Sequence, residues 1–415
     1  MLTVSEAAKE LDVSPDTIRR WAKKGLIKDK RSEQNHRLFD INELKRAHKK
    51  YQSTEPEGKY KIFKSRKTEF TAIELFSGAG GLALGLENAG FNTQLLVEID
   101  KDAVATLKNN RPKWNVSHDD VTDFNFKKFK SEKIDLVAGG FPCQSFSYAG
   151  KSRGFEDTRG TLFFEFARCV KETKPKIALG ENVKGLLRHD DGRTLATMIK
   201  VLEDLGYRVA YKVMRSQFMD VPQKRERLII LGIRKDLKIE PQFPDEKDYT
   251  ISVRDAIHDC PKSAGSEYPP KKHKILSMVP EGGYWRDLPE KHKKEYMGKS
   301  YFLGGGKTGM ARRLAWNEPS LTLTCSPAQK QTERCHPAET RPLNVREYAR
   351  IQTFPDSWKF AGSVSSQYKQ IGNAVPVNLG YYIGRCIISL LTGKPDRYVK
   401  CGSTNIKTEA QLPLL

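Results

Sequence analysis

The chain has little cysteine and uses it without pattern. Seven cysteines (143, 169, 260, 325, 335, 386 and 401) are scattered over 415 positions, and no two form a Cys-x-x-Cys pair. That spacing argues against a structural zinc site and fits a reducing compartment. Cys335-His336, near Cys325, is the one cluster and reads as coincidence; no metal is expected. Long hydrophobic runs are also missing: none approaches the roughly 18 residues of a membrane helix. The N-terminus carries no apolar signal segment, so a cytoplasmic, bacterial-type protein without a membrane partner is expected. Internal repeats are absent. Acidic residues are in short supply, 51 Asp and Glu against 72 Lys and Arg, giving a net charge of +21. Such a balance points to a polyanionic partner. The excess is concentrated. Residues 1–70 hold 18 Lys/Arg and 11 Asp/Glu, and residues 271–313 hold 11 and 4. Two separated basic segments suggest two surfaces that meet phosphate.

The first fifty residues form a unit. Val4, Ala7, Ala8 and Leu11 share a helical face, with Ser5 as its cap. Ser14 and Pro15 open a second helix, Ser as N-cap and Pro at the first helical position. Ile18, Trp21 and Ala22 face inward; Thr17, Arg19, Arg20, Lys23 and Lys24 face outward. Gly25 ends it. "LIKDKRSEQNHRLFD" reads as a two-stranded wing with a basic tip, and Asp40 with Glu43 forms a capping box for a third helix. This order resembles the MerR/excisionase-type winged helix-turn-helix, in which the second helix enters the major groove. The resemblance implies DNA contacts from Thr17, Arg19, Arg20, Lys23 and Lys24; a small helical domain that binds protein is the alternative.

Residues 51–69 are polar and read as a linker. From Phe70 strands and helices alternate: 71–76, 93–98, 134–139, 176–180, 207–214 and 227–233 are the expected strands of a doubly wound, mostly parallel α/β domain. Periodicity fades between 239 and 340 and returns in 341–400, with a final helix near 378–392 and a tail at 401–415. The organisation is therefore 1–50, 51–69, 70–238, 239–340, 341–400 and 401–415.

"ELFSGAGGLALGLENAGF" (74–91) is a strand, a glycine turn and a helix. Gly78, Gly80 and Gly81 let backbone approach a ligand closely. No lysine follows as in a P-loop, and the GxGxxG spacing is absent. Glu98 closes the next strand, where a carboxylate can take both hydroxyls of a ribose, and Asp119 or Asp120 can accept from an adenine amine. These features fit an adenosyl ligand without phosphates. "AGGFPCQSFSYAGKSRGFEDTRG" (138–160) places Cys143 at the C-terminal end of a central strand, the edge where doubly wound sheets bind ligands. Glu181 in "GENV" ends the next strand at the same edge, and "PQKRERLIIL" (222–231) brings Arg225 and Arg227 to the start of another.

Taken in order, "LFSGAGG", "GFPCQSFS", "ENV", "QKRER" and "QIGNAVP" (370–376) resemble the motif set of DNA cytosine-5 methyltransferases from about Phe70 to the C-terminus. The resemblance implies a Rossmann-like methyltransferase domain, S-adenosylmethionine as cofactor and an irregular target-recognition domain at 239–340. By matched position it implies a cofactor pocket of Phe76, Gly78, Gly80, Gly81, Glu98, Ile99, Asp120, Val121, Pro142, Leu162 and Asn373. Cys143 is implied as nucleophile at cytosine C6, Glu181 as proton donor toward N3, and Arg227, with Arg225 beside it, as the group that holds the O2 oxygen. A duplex hides C6, so the base must be flipped out. The loop 144–160 is expected to close over double-stranded DNA with Ser147, Lys151, Arg153 and Arg159 toward the backbone. Two positions depart from the pattern: "HDDV" has no glycine before its Asp, and Gly180 precedes Glu181. Three functions are weighed: the DNA methylase of a restriction system, monomeric on DNA, with the cognate endonuclease a genetic partner; a tRNA cytosine methyltransferase; and a transcriptional regulator whose methylase body is secondary. The winged helix and the large variable region favour the first.

Overall fold

The computed structural model describes residues 1–11, 13–23, 27–32, 36–52, 60–142, 162–303 and 306–402. At the N-terminus, β1 (Leu2–Thr3), α1 (Val4–Glu10), α2 (Pro15–Lys23), β2 (Asp29–Arg31), β3 (Arg37–Phe39) and α3 (Ile41–Gln52) make a three-stranded sheet, order β1-β3-β2, beside three helices. Its core is Ala7, Ala8, Leu11, Ile18, Trp21, Ile27, Phe39, Leu44 and Ala47, so the inward faces read from helical spacing are those that pack. The cap of α1 differs from expectation. Thr3, not Ser5, is the N-cap, in a reciprocal box with Glu6. Asp40 caps α3, its Oδ1 accepting from the N–H groups of Asn42 and Glu43.

The main body is built on one seven-stranded sheet. Its strands are β4 (Thr71–Leu75), β5 (Asn92–Val97), β6 (Val116–Ser117), β7 (Leu136–Gly139), β8 (Ile177–Val183), β9 (Tyr207–Arg215) and, after the short β10 (Gln223–Lys224), β11 (Glu226–Arg234). The order is β6-β5-β4-β7-β8-β11-β9. Neighbours from β6 to β8 are parallel, and β11 is antiparallel to both β8 and β9. The sheet is thus mostly parallel, with one reversed strand.

Helices cover both faces. On one, α4 (Gly81–Ala89) lies against the helix Val377–Thr392 at backbone contact: a Cβ on Gly85 would stand 2.7 Å from Cα of Gly380. That closeness explains a helix with almost no polar side. Between β5 and β6, α5 (Lys101–Asn110) starts at Asp100, whose carboxylate caps Asp102 and Ala103. The span Val364–Thr392 has the hydropathy of a membrane segment, contrary to the sequence reading, but 78% of its most apolar window is buried inside the protein.

Two expected boundaries shift. Of the linker 51–69, residues 60–69 pack on the body. The Tyr60 hydroxyl donates to the Arg350 carbonyl at 2.9 Å, and the N–H groups of Ser65 and Thr68 donate to the carbonyls of Asn88 and Gly90. At the other end Cys401–Gly402, the start of the expected tail, pairs with Phe243–Pro244. The region 239–340 has a small core of its own, including Tyr268, Leu276, Trp285, Tyr296, Met297 and Met310. In place of a sheet it is braced by the buried Arg313 guanidinium, which donates to the carbonyls of Leu276, Val279, His336 and Glu339. Five donors in a fixed fork can satisfy several loop carbonyls at once.

Candidate active site

A cavity of about 840 Å³ opens at the C-terminal edge of the parallel strands. Its nucleoside end is built by two turns. Phe76 and Gly78 follow β4 with φ of 58° and 52°, a left-handed conformation that costs little at glycine and strains Phe76. That turn aims the Gly78 N–H at Oε2 of Glu98, 2.6 Å away. Oε1 of Glu98 accepts from the Asp100 N–H at 2.8 Å. The carboxylate is therefore fixed by two backbone donors at the pocket wall, with lone pairs left for two hydroxyls.

Beyond it Ile99 is 64% exposed, an apolar side chain offered to a flat ligand. Its carbonyl lies 3.0 Å from Nε2 of His118. The histidine at the departure "HDDV" thus ties the Ile99 turn to the Asp120 turn. Asp120 caps its own turn through the Thr122 N–H and hydroxyl, and the N–H bond holds its carboxyl below the usual range. Val121, Asp119, Pro142, Leu162 and Asn373 also line the cavity.

Of the expected glycines, Gly78 lines the pocket. Gly81 does too, and it serves packing as well, since a Cβ there would stand 2.1 Å from the Val375 carbonyl oxygen. Gly80 is a correction. It does not line the cavity; its φ is 83°, and a Cβ would meet Leu107 at 2.6 Å. It is glycine so that the turn can pass over α5.

The far end holds Glu181 and Arg227. In the β8/β11 ladder Glu181 stands opposite Ile229, so Arg227, two residues along, shares its face. Nε of Arg227 lies 2.7 Å from Oε1 of Glu181, and each side chain is only 13% exposed. A Cβ on Gly140 would stand 3.1 Å from Oε2 of Glu181, so glycine leaves that oxygen room beside the pocket. Asn182 donates from Nδ2 to the Phe141 carbonyl at 2.9 Å, tying β8 to the residue before Pro142.

Arg225 is a second correction. It was expected beside Arg227, but it is 1% exposed and points away from the cavity. It donates to the carbonyls of Leu323 and Gly372, at 3.2 and 3.1 Å. Burial, with Arg227 adding, pushes its guanidinium down to about 9. It is a brace joining the arginine motif, the 320–325 segment and "QIGNAVP".

Cys143, Ser147, Lys151, Arg153 and Arg159 lie outside the described residues, as does Lys24; of the side chains of Arg20 and Lys23 nothing is described. Pro142, the sequence neighbour of Cys143, lines the cavity.

Thr17 is the third correction. Expected on the outer face of α2, it is 2% exposed and its hydroxyl donates to Oε1 of Glu318 at 3.0 Å. Arg19 is ion-paired with Asp16, and both line a cleft whose far wall includes Arg254, Tyr284 and Arg286. The N-terminal half of α2 therefore faces the 239–340 region. The exposed basic residues of the wing are Lys28, Lys30 and Arg31.

Four residues that matter were not singled out from the sequence: Glu74, Asn182, Glu318 and Lys369. Glu74 left a signal, a carboxyl inside the apolar strand "TAIELF". Lys369, ion-paired with Asp100 at 3.1 Å on the pocket wall, left none.

The pocket joins a backbone-fixed carboxylate to an acid–arginine pair along one edge of a doubly wound sheet, a layout suited to a methyltransferase. The comparisons with known proteins agree. The C-5 cytosine-specific DNA methylase family matches residues 70–389, and the MerR family of regulatory proteins matches residues 3–39. The Type II methyltransferase M.Eco47II of Escherichia coli is 54% identical over 403 residues, covering 94% of this chain and 95% of that protein. M.PspPI of Psychrobacter sp. (strain TA137) is 61% identical over 336 residues, 79% of this chain and 80% of that one. A solved structure described as a DNA modification methyltransferase encoded within an E. coli prophage superposes with a TM-score of 0.58 at 25% identity. It covers 78% of this chain and all of that one. The chain belongs to the C-5 cytosine-specific DNA methylase family and is a DNA cytosine-5 methyltransferase of the restriction-modification type.

Proposed function

We propose that the enzyme takes its methyl group from S-adenosylmethionine and methylates a cytosine flipped out of a specific duplex site, protecting that site from a cognate endonuclease. The observation that carries this reading is one continuous cavity with Glu98 and Ile99 at one end and the Glu181–Arg227 pair at the other. The residues fit the cofactor. The fixed Glu98 carboxylate suits a ribose, and exposed Ile99 suits an adenine face. Bound there, the cofactor supplies an activated methyl group.

The chain's own groups do the rest. The Cys143 thiolate adds to C6, which makes C5 an enamine carbon. The Glu181 carboxyl passes a proton taken up from solvent to N3 as charge builds there, and Arg227, held against Glu181, faces O2 and fixes the ring. After methylation of C5 its proton leaves to solvent, the C6–S bond breaks to return Cys143, and N3 gives its proton back through Glu181. Lys151, Arg153 and Arg159 contact the backbone of the bound duplex, with Ser147 beside them. The protein acts as a monomer in the cytoplasm. The MerR-like unit is a second DNA-binding module that represses the system's own promoter. Its exposed wing, rather than Thr17, is the surface available to a phosphate backbone in this arrangement.

Cys143→Ser tests the mechanism. Methyl transfer should vanish while cofactor binding by calorimetry stays near wild type, and a 5-fluorocytosine duplex should trap the wild type covalently. Near-normal turnover of the variant would sink the proposal.

A further inference from the structure

The first turn of α2 is the part of the MerR-like unit with two claims on it. In a winged helix-turn-helix the second helix enters the major groove with its N-terminal residues toward base edges. Here that end is occupied by the chain itself. Thr17 is 2% exposed, and its hydroxyl donates to Oε1 of Glu318 at 3.0 Å. The Ser14 N–H, just ahead of the helix, donates to the same oxygen at 3.4 Å. Asp16 and Arg19 line the cleft whose far wall includes Arg254, Tyr284 and Arg286. A duplex cannot reach this turn while the body covers it.

The contact has the make-up of one that opens. Among the described residues the apolar core of the unit includes no residue beyond Ala47, so unit and body share no core. Polar groups hold them together, and the cleft between them leaves about 560 Å³ unfilled. Relative motion is the default where a domain interface is not large and apolar. Glu318 loses little when α2 leaves, because Lys224 stays on its other oxygen and water replaces the two donors. The Ser14 and Thr17 donors sit at a helix N-terminus, where the dipole favours an anion. Glu318 supplies that anion in the docked state, and a DNA phosphate supplies it in the open one. Residues 53–59 join Gln52 to Tyr60, whose hydroxyl is bonded to the body. A tether of that length reaches at most about 25 Å, so the open unit stays near the body and docks again.

We propose that docking on Glu318 is an autoinhibitory contact. The MerR-like unit reads DNA sequence only after α2 leaves the 239–340 region, so the body and a major groove are exclusive occupants of one helix end. The inference rests on the MerR-like unit being a DNA-binding module. In the docked state the exposed wing residues Lys28, Lys30 and Arg31 still attract phosphate, without regard to sequence. Sequence-selective binding is held down by the docked population, because apparent affinity scales with the fraction of chains that are open. Glu318 therefore sets how strongly the chain acts at a promoter without touching DNA itself.

The test is binding of the full chain to two labelled duplexes, one spanning the DNA upstream of its own coding sequence and one of equal length and unrelated sequence. Glu318→Ala removes the acceptor that holds α2. It should bind the upstream duplex at least about tenfold more tightly than wild type does, with no matching gain on the unrelated duplex. Unchanged affinity for the upstream duplex overturns the inference. So does an equal gain on both duplexes, which the loss of a negative charge alone would give. Should the variant fail to fold, hydrogen–deuterium exchange of wild type is the second readout. The upstream duplex should raise exchange across 280–287 and 315–318, the wall that faces α2, and lower it across 14–19. Unchanged or lower exchange on that wall with the upstream duplex bound means that the unit reads DNA while docked, and the inference falls. No preference for the upstream duplex in either protein would instead overturn the promoter assignment on which the inference stands.

Discussion

The Thr17 hydroxyl donates to Oε1 of Glu318 across 301 positions of sequence, and Lys224 bonds the other oxygen of the same carboxylate. One buried glutamate thus links the second helix of the MerR-like unit to the 239–340 region and to the strand just ahead of Arg225 and Arg227. Glu318 is 4% exposed. Thr17→Val keeps the side-chain shape and removes the donor, so it should cost about 1 to 3 kcal/mol of stability. Denaturant unfolding measures it; an unchanged midpoint would mean that the contact does not hold the N-terminal unit on the body.

The Glu181–Arg227 pair should behave as a unit. Glu181→Gln should lower turnover by roughly 10²-fold or more, and Arg227→Ala should do the same. In the double variant the losses should fall well short of additive, because either change removes the partner's orientation. Single-turnover methylation of one duplex by all four proteins reads this directly. Additive losses would mean that the two act separately.

Glu98→Ala should raise the dissociation constant for S-adenosylmethionine with little effect on DNA affinity. It should also free the N–H groups of Gly78 and Asp100, which loosens the turn itself. A defect confined to DNA binding would contradict the ribose role.

Arg225 should prove structural. Arg225→Met leaves the Leu323 and Gly372 carbonyls without their donor, at about 1 to 3 kcal/mol each. Thermal unfolding should show the loss, while the folded fraction keeps its affinity for S-adenosylmethionine. Full stability with abolished catalysis would return Arg225 to the active site.

Gly81→Ala drives a Cβ to 2.1 Å from the Val375 carbonyl oxygen, a backbone atom that cannot swing aside. Destabilisation of at least about 3 kcal/mol is expected. Gly78→Ala, with nothing within 4 Å of its Cβ, should fold and pay only for its φ of 52°. A mild effect at Gly81 and a severe one at Gly78 would reverse these roles.

Local pattern determined a good deal by itself. Short apolar runs at the spacing of strands and helices gave the α/β body, because burial on two faces of a parallel sheet requires them. Glycines beside a strand end, Glu98 at the next and Glu181 with Arg227 were legible for a similar reason. In a doubly wound sheet the ends of parallel strands share one edge, so position along the chain predicts position in the site. Other features depended on where distant segments meet. The sequence showed two arginines with one residue between them, which alternation would put on one face. Arg225 nevertheless lies outside the named strands, and the carbonyls of Leu323 and Gly372 take it inward. Helical spacing put Thr17 outward on α2, true for that unit alone, but Glu318 comes to meet it. Glu74 stood out only as a carboxyl inside an apolar strand, with nothing to say what would surround it. Its setting follows from the strands packed on either side, which close off water and leave a carboxyl oxygen without a partner. Amphipathic periodicity records which face of an element avoids water; it does not record which other segment does the covering, and only the tertiary structure decides that.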